Sequence, residues 1–152
     1  MLSKKAKYAI RAMIHLAARQ GKGPVMIKAI ASEERIPKKF LEAILVDLKN
    51  GGMLKSRAGK GGGYEMAKAA ADVNLGEIIR QIEGPLALTP CASKSAYSLC
   101  DDCPTEKFCT IQVVMREVRD ETARILEGKT LESLVLMAHT SGPLGAEVDF
   151  NI

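Results

Sequence analysis

The sequence predicts a mainly α-helical protein that carries one small β-hairpin. Apolar residues recur at helical spacing in several segments, one pair of short strand-like runs flanks a glycine-rich stretch, and all four cysteines lie within nineteen residues. The chain has 152 residues, of which 47% are hydrophobic and 26% charged, so a packed core is expected. This length suits one domain, or a small domain with an appendage.

The charges are divided unevenly between the two halves of the chain. Residues 1–68 hold 15 Lys/Arg against 5 Asp/Glu, a balance of +10, whereas residues 69–152 hold 7 against 13, a balance of −6. A basic region attracts a polyanion through counterion release, and a merely soluble surface does not need such segregation. The division favours nucleic acid as the partner of the N-terminal half.

The sequence gives no indication of a membrane segment. No apolar run approaches the roughly 18 residues that cross a bilayer. Lys4, Lys5 and Lys7 precede a stretch that Arg11 and His15 interrupt, which does not fit the apolar region of a signal peptide. We expect a cytoplasmic protein with no membrane contact and no small-molecule substrate.

The first predicted helix begins after Ser3, which can act as its N-cap, and ends near Gln20, before Gly21. Its apolar residues form one stripe, as expected for a helix that packs against a core. These residues are Ala6, Ile10, Met13, Ile14 and Ala17.

Two further helices follow the Gly23-Pro24 turn, and a short turn joins them. The second ends near Glu34, and the third has Pro37 in its first turn and ends at residues 51–52, both glycine. Two helices joined in this way predict a helix-turn-helix. The apolar face of the third helix consists of Phe40, Leu41, Ile44, Leu45 and Leu48.

A glycine-rich hairpin follows the third helix. Residues 53–57 and 63–66 are predicted strands, and residues 58–62 (AGKGG) connect them. A hairpin in this place is the layout of a winged helix, in which glycine allows close approach to phosphates and Arg57 and Lys60 supply positive charge. A phosphate-binding P-loop does not fit, because Gly61 follows Lys60 where Ser or Thr is required.

These elements predict a winged helix-turn-helix DNA-binding domain over residues 1–84. In such domains the N-terminal end of the recognition helix usually meets the bases. Lys38, Lys39 and Glu42 lie at that end of the third helix. Together with Arg57 and Lys60 of the hairpin, they are the candidate DNA-binding residues.

Residues 85–108 are predicted to form a cysteine-bearing sensor loop. The loop follows a short helix, which Asn74 can cap and which ends at the Gly-Pro pair of residues 84–85. Cys91, Cys100, Cys103 and Cys109 have the spacing C-x8-C-x2-C-x5-C among serines, aspartates and prolines. Four thiols on a loop can converge on one metal. The four cysteines are therefore the candidate metal ligands.

The cysteine spacing leaves several kinds of site open. Disulfides need an oxidising compartment, which nothing here indicates. Structural zinc usually shows two C-x2-C pairs, and only Cys100 and Cys103 form one. An iron–sulfur cluster tolerates irregular spacing and prefers thiolates. Redox-active thiols without metal, and inert thiols, remain alternatives. A thiol redox enzyme using Cys100 and Cys103 is the alternative from another functional class, although the sheet-rich fold it would need is absent.

Residues 109–136 are predicted to form a dimerisation helix that ends near Glu127, before Gly128, followed by a second, short helix. A helix of this length, roughly 30 Å, is too long for so small a domain to cover alone. It therefore favours a homodimer. Its apolar seam consists of Ile111, Val114, Met115, Val118, Thr122, Ile125 and Leu126. Residues 137–152 are predicted to be a flexible tail, since they lack periodicity.

The assembled motifs resemble those of the Rrf-type winged-helix transcriptional regulators (the IscR/NsrR/RirA/CymR group). The resemblance extends from residue 1 to about residue 136. It rests on residues 7–11 (KYAIR), 36–41 (IPKKFL), 56–64 (SRAGKGGGY) and the C-P-x4-C segment 103–109. It implies a regulator, by family default a repressor, that binds a palindromic double-stranded DNA operator as a homodimer.

The resemblance also implies site residues. Cluster-binding members use three loop cysteines, which match Cys91, Cys103 and Cys109. A fourth ligand from the first helix would stand at Lys7, where lysine cannot serve, and residues 110–115 contain no histidine. Cys100 is then the candidate fourth ligand of a 2Fe–2S or 4Fe–4S cluster, with zinc or no cofactor as the alternatives.

The same resemblance bears on DNA recognition. Arg57 matches the wing arginine that enters the minor groove. Lys39 and Ala43 replace residues that read bases in IscR-like members, so the same operator is not expected.

Overall fold

The computed structural model describes residues 2–103 and 109–140, and in them it contains six α-helices and one two-stranded antiparallel sheet. The mainly helical fold with a small hairpin is confirmed. The elements are α1 Lys4–Ala17, α2 Ile27–Glu33, α3 Lys38–Asn50, β1 Leu54–Arg57, β2 Gly63–Met66, α4 Leu75–Glu83, α5 Thr110–Glu127 and α6 Leu131–Thr140, with short 3-10 helices at Ala70–Asp72 and Pro90–Ala92. None of the described helices is both long and apolar enough to span a bilayer.

Side chains cap the N-terminal ends of α1 and α4. The Ser3 side chain accepts a hydrogen bond from the Ala6 amide at 3.1 Å, which caps α1. Asn74 and Glu77 form a reciprocal capping box at the start of α4. Pro37 is the N-cap of α3 rather than a residue of its first turn. Local side chains therefore set the starts of α1 and α4, whereas α2, α3 and α5 begin without a side-chain cap.

The hydrophobic core lies between α1, α3 and the elements around them. Small residues on α1 allow its neighbours to approach closely, and the buried leucines and isoleucines of α3 fill the space beneath. The fully buried large side chains are Met13, Leu16, Ile30, Leu41, Ile44, Leu45, Leu48, Val73, Ile78 and Leu131.

The hairpin is attached to the beginning of α2 by backbone hydrogen bonds. Arg57 pairs with Gly63 at its tip, and Leu54 pairs with Met66 at its base. Val25 and Tyr64 exchange two bonds of 2.8 and 2.9 Å. The sequence predicted only a turn before α2, because a single bridging residue carries no strand periodicity. The wing is therefore part of the same unit as the helix-turn-helix.

The last helix returns to the N-terminal domain. Leu131 is fully buried in the core, and α6 packs on α1. This differs from the predicted division, which placed the short helix with the dimerisation helix. Residues 137–140, predicted to belong to the flexible tail, are helical, and the Thr140 hydroxyl donates to the Leu136 and Met137 carbonyls. Residues 141–152 lie outside the described residues.

Candidate nucleic-acid interface and cysteine site

A groove of about 360 Å³ lies where α2, α3 and the hairpin meet. Lys38 and Glu42 line it from the first turns of α3, and Arg57 lines it from the end of β1. Three of the five predicted DNA-contact residues therefore come together in space. Lys28 from the first turn of α2 also lines this groove. Sequence reasoning missed it, although its position at the start of the first helix of the helix-turn-helix was an available signal.

The electrostatics of the groove favour an anion. The Lys38 ammonium lies 3.7 Å from the Glu42 carboxylate, and both side chains remain about half exposed or more. In the described part of the chain, Arg57 and Lys28 form no ion pair, so their charges are free for phosphate. The amino-terminal end of α3 adds the partial positive charge of its unpaired amides.

Lys39 and Lys60 do not line the groove. Both are exposed, Lys39 on α3 and Lys60 in the hairpin loop. Each stays a prediction as a DNA contact.

The glycines of the wing satisfy the geometry of the hairpin itself. Gly59 and Gly61 have φ values of 89° and 78°, in the left-handed region that favours glycine. A Cβ atom on Gly62 would lie 2.2 Å from the Arg57 carbonyl oxygen, and one on Gly63 would lie 2.1 Å from that of Val25. The wing sequence thus fixes the position of Arg57, which is a reason for glycine beyond the predicted approach to phosphate.

The first cysteine of the sensor loop is buried. Cys91 lies in the 3-10 helix and is 5% exposed. Its Sγ lies 3.4 Å from the Thr89 hydroxyl, which lowers the pKa of the Cys91 thiol, and a hydrogen bond with the Cys100 thiol lowers it further. The same bond, with burial, raises the pKa of Cys100 to about 11.

The other thiols continue this arrangement. The Cys103 amide donates to the Cys100 carbonyl at 3.0 Å, and their Sγ atoms and an Asp102 carboxylate oxygen all lie within 4.8 Å of one another. Burial raises the pKa of Cys103, and the negative charge of the Cys109 thiolate adds to the effect. The four cysteines therefore follow one another through space. Asp102 is a neighbour that the spacing argument did not select.

The cysteine segment is docked on α5 by two side chains. Gln112 Nε2 donates to the Cys91 carbonyl at 2.9 Å, and the Arg119 guanidinium donates to the Ala92 carbonyl. Arg119 is held in turn by Asp120, whose pKa is well below its usual range because Arg119 and Lys94 both bind its carboxylate. Two hydrogen bonds from α5 side chains thus hold the cysteine segment against this helix.

The outer side of α5 carries an apolar stripe. Ile111, Val114, Val118 and Ile125 are between 37% and 65% exposed, and at 100° per residue they fall within about 60° of one another around the helix. The predicted seam members Met115, Thr122 and Leu126 are instead half-buried. We call the four exposed residues the α5 stripe.

The sequence profile of the Rrf2 family, described as an iron-dependent transcriptional regulator, matches residues 2–136. The chain belongs to the Rrf2 family. Rrf2-type proteins are DNA-binding transcriptional regulators and not enzymes, so the alternative of a thiol redox enzyme is wrong. The expected family resemblance is confirmed.

Curated relatives and solved structures agree with this assignment. An rrf2-like HTH-type transcriptional regulator of Rhodobacter capsulatus is 39% identical over 95% of this chain and 98% of its own length. CymR, the global cysteine regulator of B. subtilis, superposes with a TM-score of 0.75 at 28% identity, covering 91% of this chain and 98% of that one. IscR of T. potens gives a TM-score of 0.75 at 29% identity, covering 95% and 93%.

Proposed function

We propose that this Rrf2 regulator is a cytoplasmic homodimer that binds DNA and represses transcription. An iron–sulfur cluster held by Cys91, Cys100, Cys103 and Cys109 would switch it. The observation that carries the proposal is the docking of the cysteine segment on α5 through Gln112. A change at the thiols would thereby reach the helix that we expect to join the two protomers.

The DNA-binding surface is proposed to be the groove between α2, α3 and the hairpin. Lys38 and Glu42 would face the major groove, because the N-terminal end of a recognition helix is the part that reaches base edges. The Arg57 side chain would enter the minor groove. The positive charges of Lys60 and Lys28 would neutralise backbone phosphates, and Lys39 would add a flanking contact. The charge balance of +10 over residues 1–68 supports this orientation.

Dimerisation is proposed to occur along the α5 stripe. Four large apolar side chains in one row, exposed on an otherwise charged helix, are what an unpaired half of an interface presents. Pairing of two such helices about a two-fold axis would give two recognition helices for two half-sites, which predicts a palindromic operator.

The thiol set fits an iron–sulfur group. Four sulfur donors follow one another through space, with Cys91 buried and the other three half-buried, and thiolates are the ligands that such clusters prefer. When bound, such a group supplies a redox-active link between the thiolates. Gln112 and Arg119 hold the cysteine segment against α5, so they would report the state of the site to the dimer helix.

The test is purification without oxygen, followed by a visible spectrum, an iron assay and DNA binding. We expect absorption at about 400 nm with stoichiometric iron. Duplexes selected from a random pool should give a two-fold symmetric consensus sequence. Loss of the cluster should change affinity for the selected duplex at least tenfold. A protein with iron but with unchanged DNA affinity after its removal would contradict the switch.

A second candidate is regulation by zinc or by thiol oxidation at the same cysteines. The hydrogen bond between the Cys91 and Cys100 thiols favours it, since two neighbouring thiols can form a disulfide on oxidation. Iron-free protein whose DNA affinity changes on zinc addition or oxidation would select this candidate. Two variants test the two candidates. Cys100→Ser should abolish the switch by thiol oxidation, and Cys103→Ser should abolish any cluster absorbance.

A further inference from the structure

A second cleft, of about 790 Å³, lies between α1, α2 and α6, and no part of the DNA-binding or cysteine-switch proposal uses it. The chain has only two histidines, 124 positions apart, and both line this cleft: His15 from α1 and His139 from α6. Glu33 and Glu34 line it from the end of α2. The fold therefore gathers two imidazoles and two carboxylates from three helices.

His15 is held in one orientation by Glu34. Its side chain is 2% exposed, and its Nδ1 lies 2.9 Å from Glu34 Oε1. A carboxylate only accepts hydrogen bonds, so Nδ1 must donate. In the neutral ring, the lone pair is consequently on Nε2. Arg11 fixes Glu34 from the other side, since its guanidinium donates to the Glu34 carboxylate and carbonyl.

His15 Nε2 is an orphaned atom. Within residues 2–103 and 109–140, it is the only buried side-chain nitrogen or oxygen that lacks a hydrogen-bond partner. Its neighbour is Glu33 Oε2, at 4.0 Å, which is too long for a hydrogen bond. Leaving a buried polar atom without a protein partner is costly, so His15 Nε2 is a candidate to bind a ligand.

Glu34 orients His15 in the way that a carboxylate orients a metal-binding histidine. Histidines that bind a metal through one ring nitrogen usually donate the other N–H to a carboxylate, as Nδ1 does to Glu34. Two ligands on a tetrahedral ion such as zinc lie roughly 3.4 Å apart. The 4.0 Å separation of Nε2 from Glu33 therefore closes with a small side-chain movement. Arg19 donates to the same Glu33 Oε2 atom at 2.6 Å, so the metal would share this carboxylate with Arg19.

We propose that His15, Glu33 and His139 form a site for a divalent first-row transition cation, distinct from the cysteine site, with Glu34 orienting His15. Two imidazoles and one carboxylate form a ligand set suited to zinc and its neighbours rather than to magnesium or calcium. The ligand atoms of His15, Glu33 and His139 do not all lie within 4.8 Å of one another, so the exposed His139 ring would have to turn toward the other two on metal binding. Metal binding would tie the end of α6 to α2, the first helix of the helix-turn-helix.

The test is a Zn²⁺ titration of the full chain, followed by NMR of the imidazole groups. Because the chain has two histidines, the spectrum contains two sets of imidazole resonances. Metal bound only at the cysteines should leave the chemical shifts of both sets unchanged. We expect both histidines to shift together, with one apparent affinity. No change at His15 after several equivalents of Zn²⁺, or a shift of His139 alone, would overturn the site.

Matched variants separate the ligands from nearby charges. His139→Ala and Glu33→Gln change exposed side chains. Each should lower the Zn²⁺ affinity, measured from the His15 chemical shift, at least tenfold while leaving the amide spectrum native. Glu132→Gln removes a charge from α6 outside the cleft and should have no effect. An unchanged His15 affinity in His139→Ala would overturn the assignment of His139 as a ligand.

Discussion

The two amphipathic helices α3 and α5 differ in what covers their apolar residues. The 13-residue α3 buries Leu41, Ile44, Leu45 and Leu48 within its own domain. The 18-residue α5 buries no residue, and its stripe remains exposed. The same hydrophobic periodicity therefore gives a buried apolar face in α3 and a solvent-exposed apolar face in α5. In the proposed dimer, a second copy of the chain would cover this stripe.

The two regions also differ in backbone strain. Within the described residues, every left-handed backbone position lies at or before Gly84, and Arg35 in the turn between α2 and α3 is the only such residue that is not glycine. The N-terminal domain thus fixes the recognition helix and wing with left-handed turns, which glycine adopts without strain and only Arg35 adopts at a cost. The α5 region has an unstrained backbone and relies on side-chain contacts.

The largest expected effect is from Val118→Asp in the α5 stripe. An aspartate buried in a helix pair would lack a partner, so the dimer dissociation constant should rise on the order of 100-fold or more. Analytical ultracentrifugation measures this change, and the monomer should keep its helical circular dichroism because Val118 packs on nothing within the chain's core.

Val113→Asp is the matched control for this change. Val113 is 58% exposed on the same helix, but it lies about 130° around from the middle of the stripe. It should leave the dimer intact. Equal dissociation by both variants would remove the stripe as the interface.

The second effect concerns the buried apolar face of α3. Leu45 is fully buried on α3, so Leu45→Ala should lower the free energy of unfolding by about 2–5 kcal/mol through lost contacts and a cavity. Its neighbour Val46 is 46% exposed, and Val46→Ala should change stability by about 0.5 kcal/mol or less. Urea unfolding of the two variants compares them; similar values would mean that α3 is not packed as described.

The third effect tests whether the basic region alone binds DNA. Arg57→Ala should weaken binding by about 1–3 kcal/mol. Arg124→Ala removes an equally exposed arginine from α5, where it pairs with Glu121, and should leave DNA affinity unchanged. Fluorescence anisotropy at one fixed salt concentration measures both. A loss with Arg124→Ala equal to that with Arg57→Ala would contradict the proposed surface.

The smallest effect concerns the strained turn. Arg35 has φ of 51°, so Arg35→Gly should stabilise the fold by about 0.5–1 kcal/mol, since relief of strain exceeds the added freedom of the unfolded chain. Gly52 has φ of 73° with open space around it, and Gly52→Ala should destabilise by about 1 kcal/mol. Thermal unfolding should show shifts of opposite sign; loss of stability in Arg35→Gly would mean that its side chain contributes more than its backbone costs.

Most of the fold could be predicted from the sequence because its signals are local. Ser3 and Asn74 cap the helices as expected, and the wing strands lie within a residue of their predicted bounds. The Val25–Tyr64 bridge and the return of Leu131 to the core could not be predicted, because they join residues far apart in sequence.

The sites were predictable to a lesser degree. Charge and position selected Lys38, Glu42 and Arg57, which share a groove, whereas Lys28 was missed although it lies at the start of the first helix of the helix-turn-helix. Cysteine spacing selected the four thiols, while the hydrogen bonds that place them on α5 depend on Gln112 and Arg119. Neither histidine appeared noteworthy in sequence, since the relation between α1 and α6 arises only on folding.

The return of α6 makes the cysteine segment and α5 an insertion in the N-terminal domain. The Leu75 amide donates to the Lys129 carbonyl at 2.9 Å, and Asn74 pairs with Thr130, so the chain leaves the N-terminal domain after α4 and re-enters it beside the start of that helix. Segments inserted between neighbouring anchor points are free to change length and chemistry while the host domain folds as before. Evolution could therefore exchange the signal that such a regulator detects without redesigning how it reads DNA.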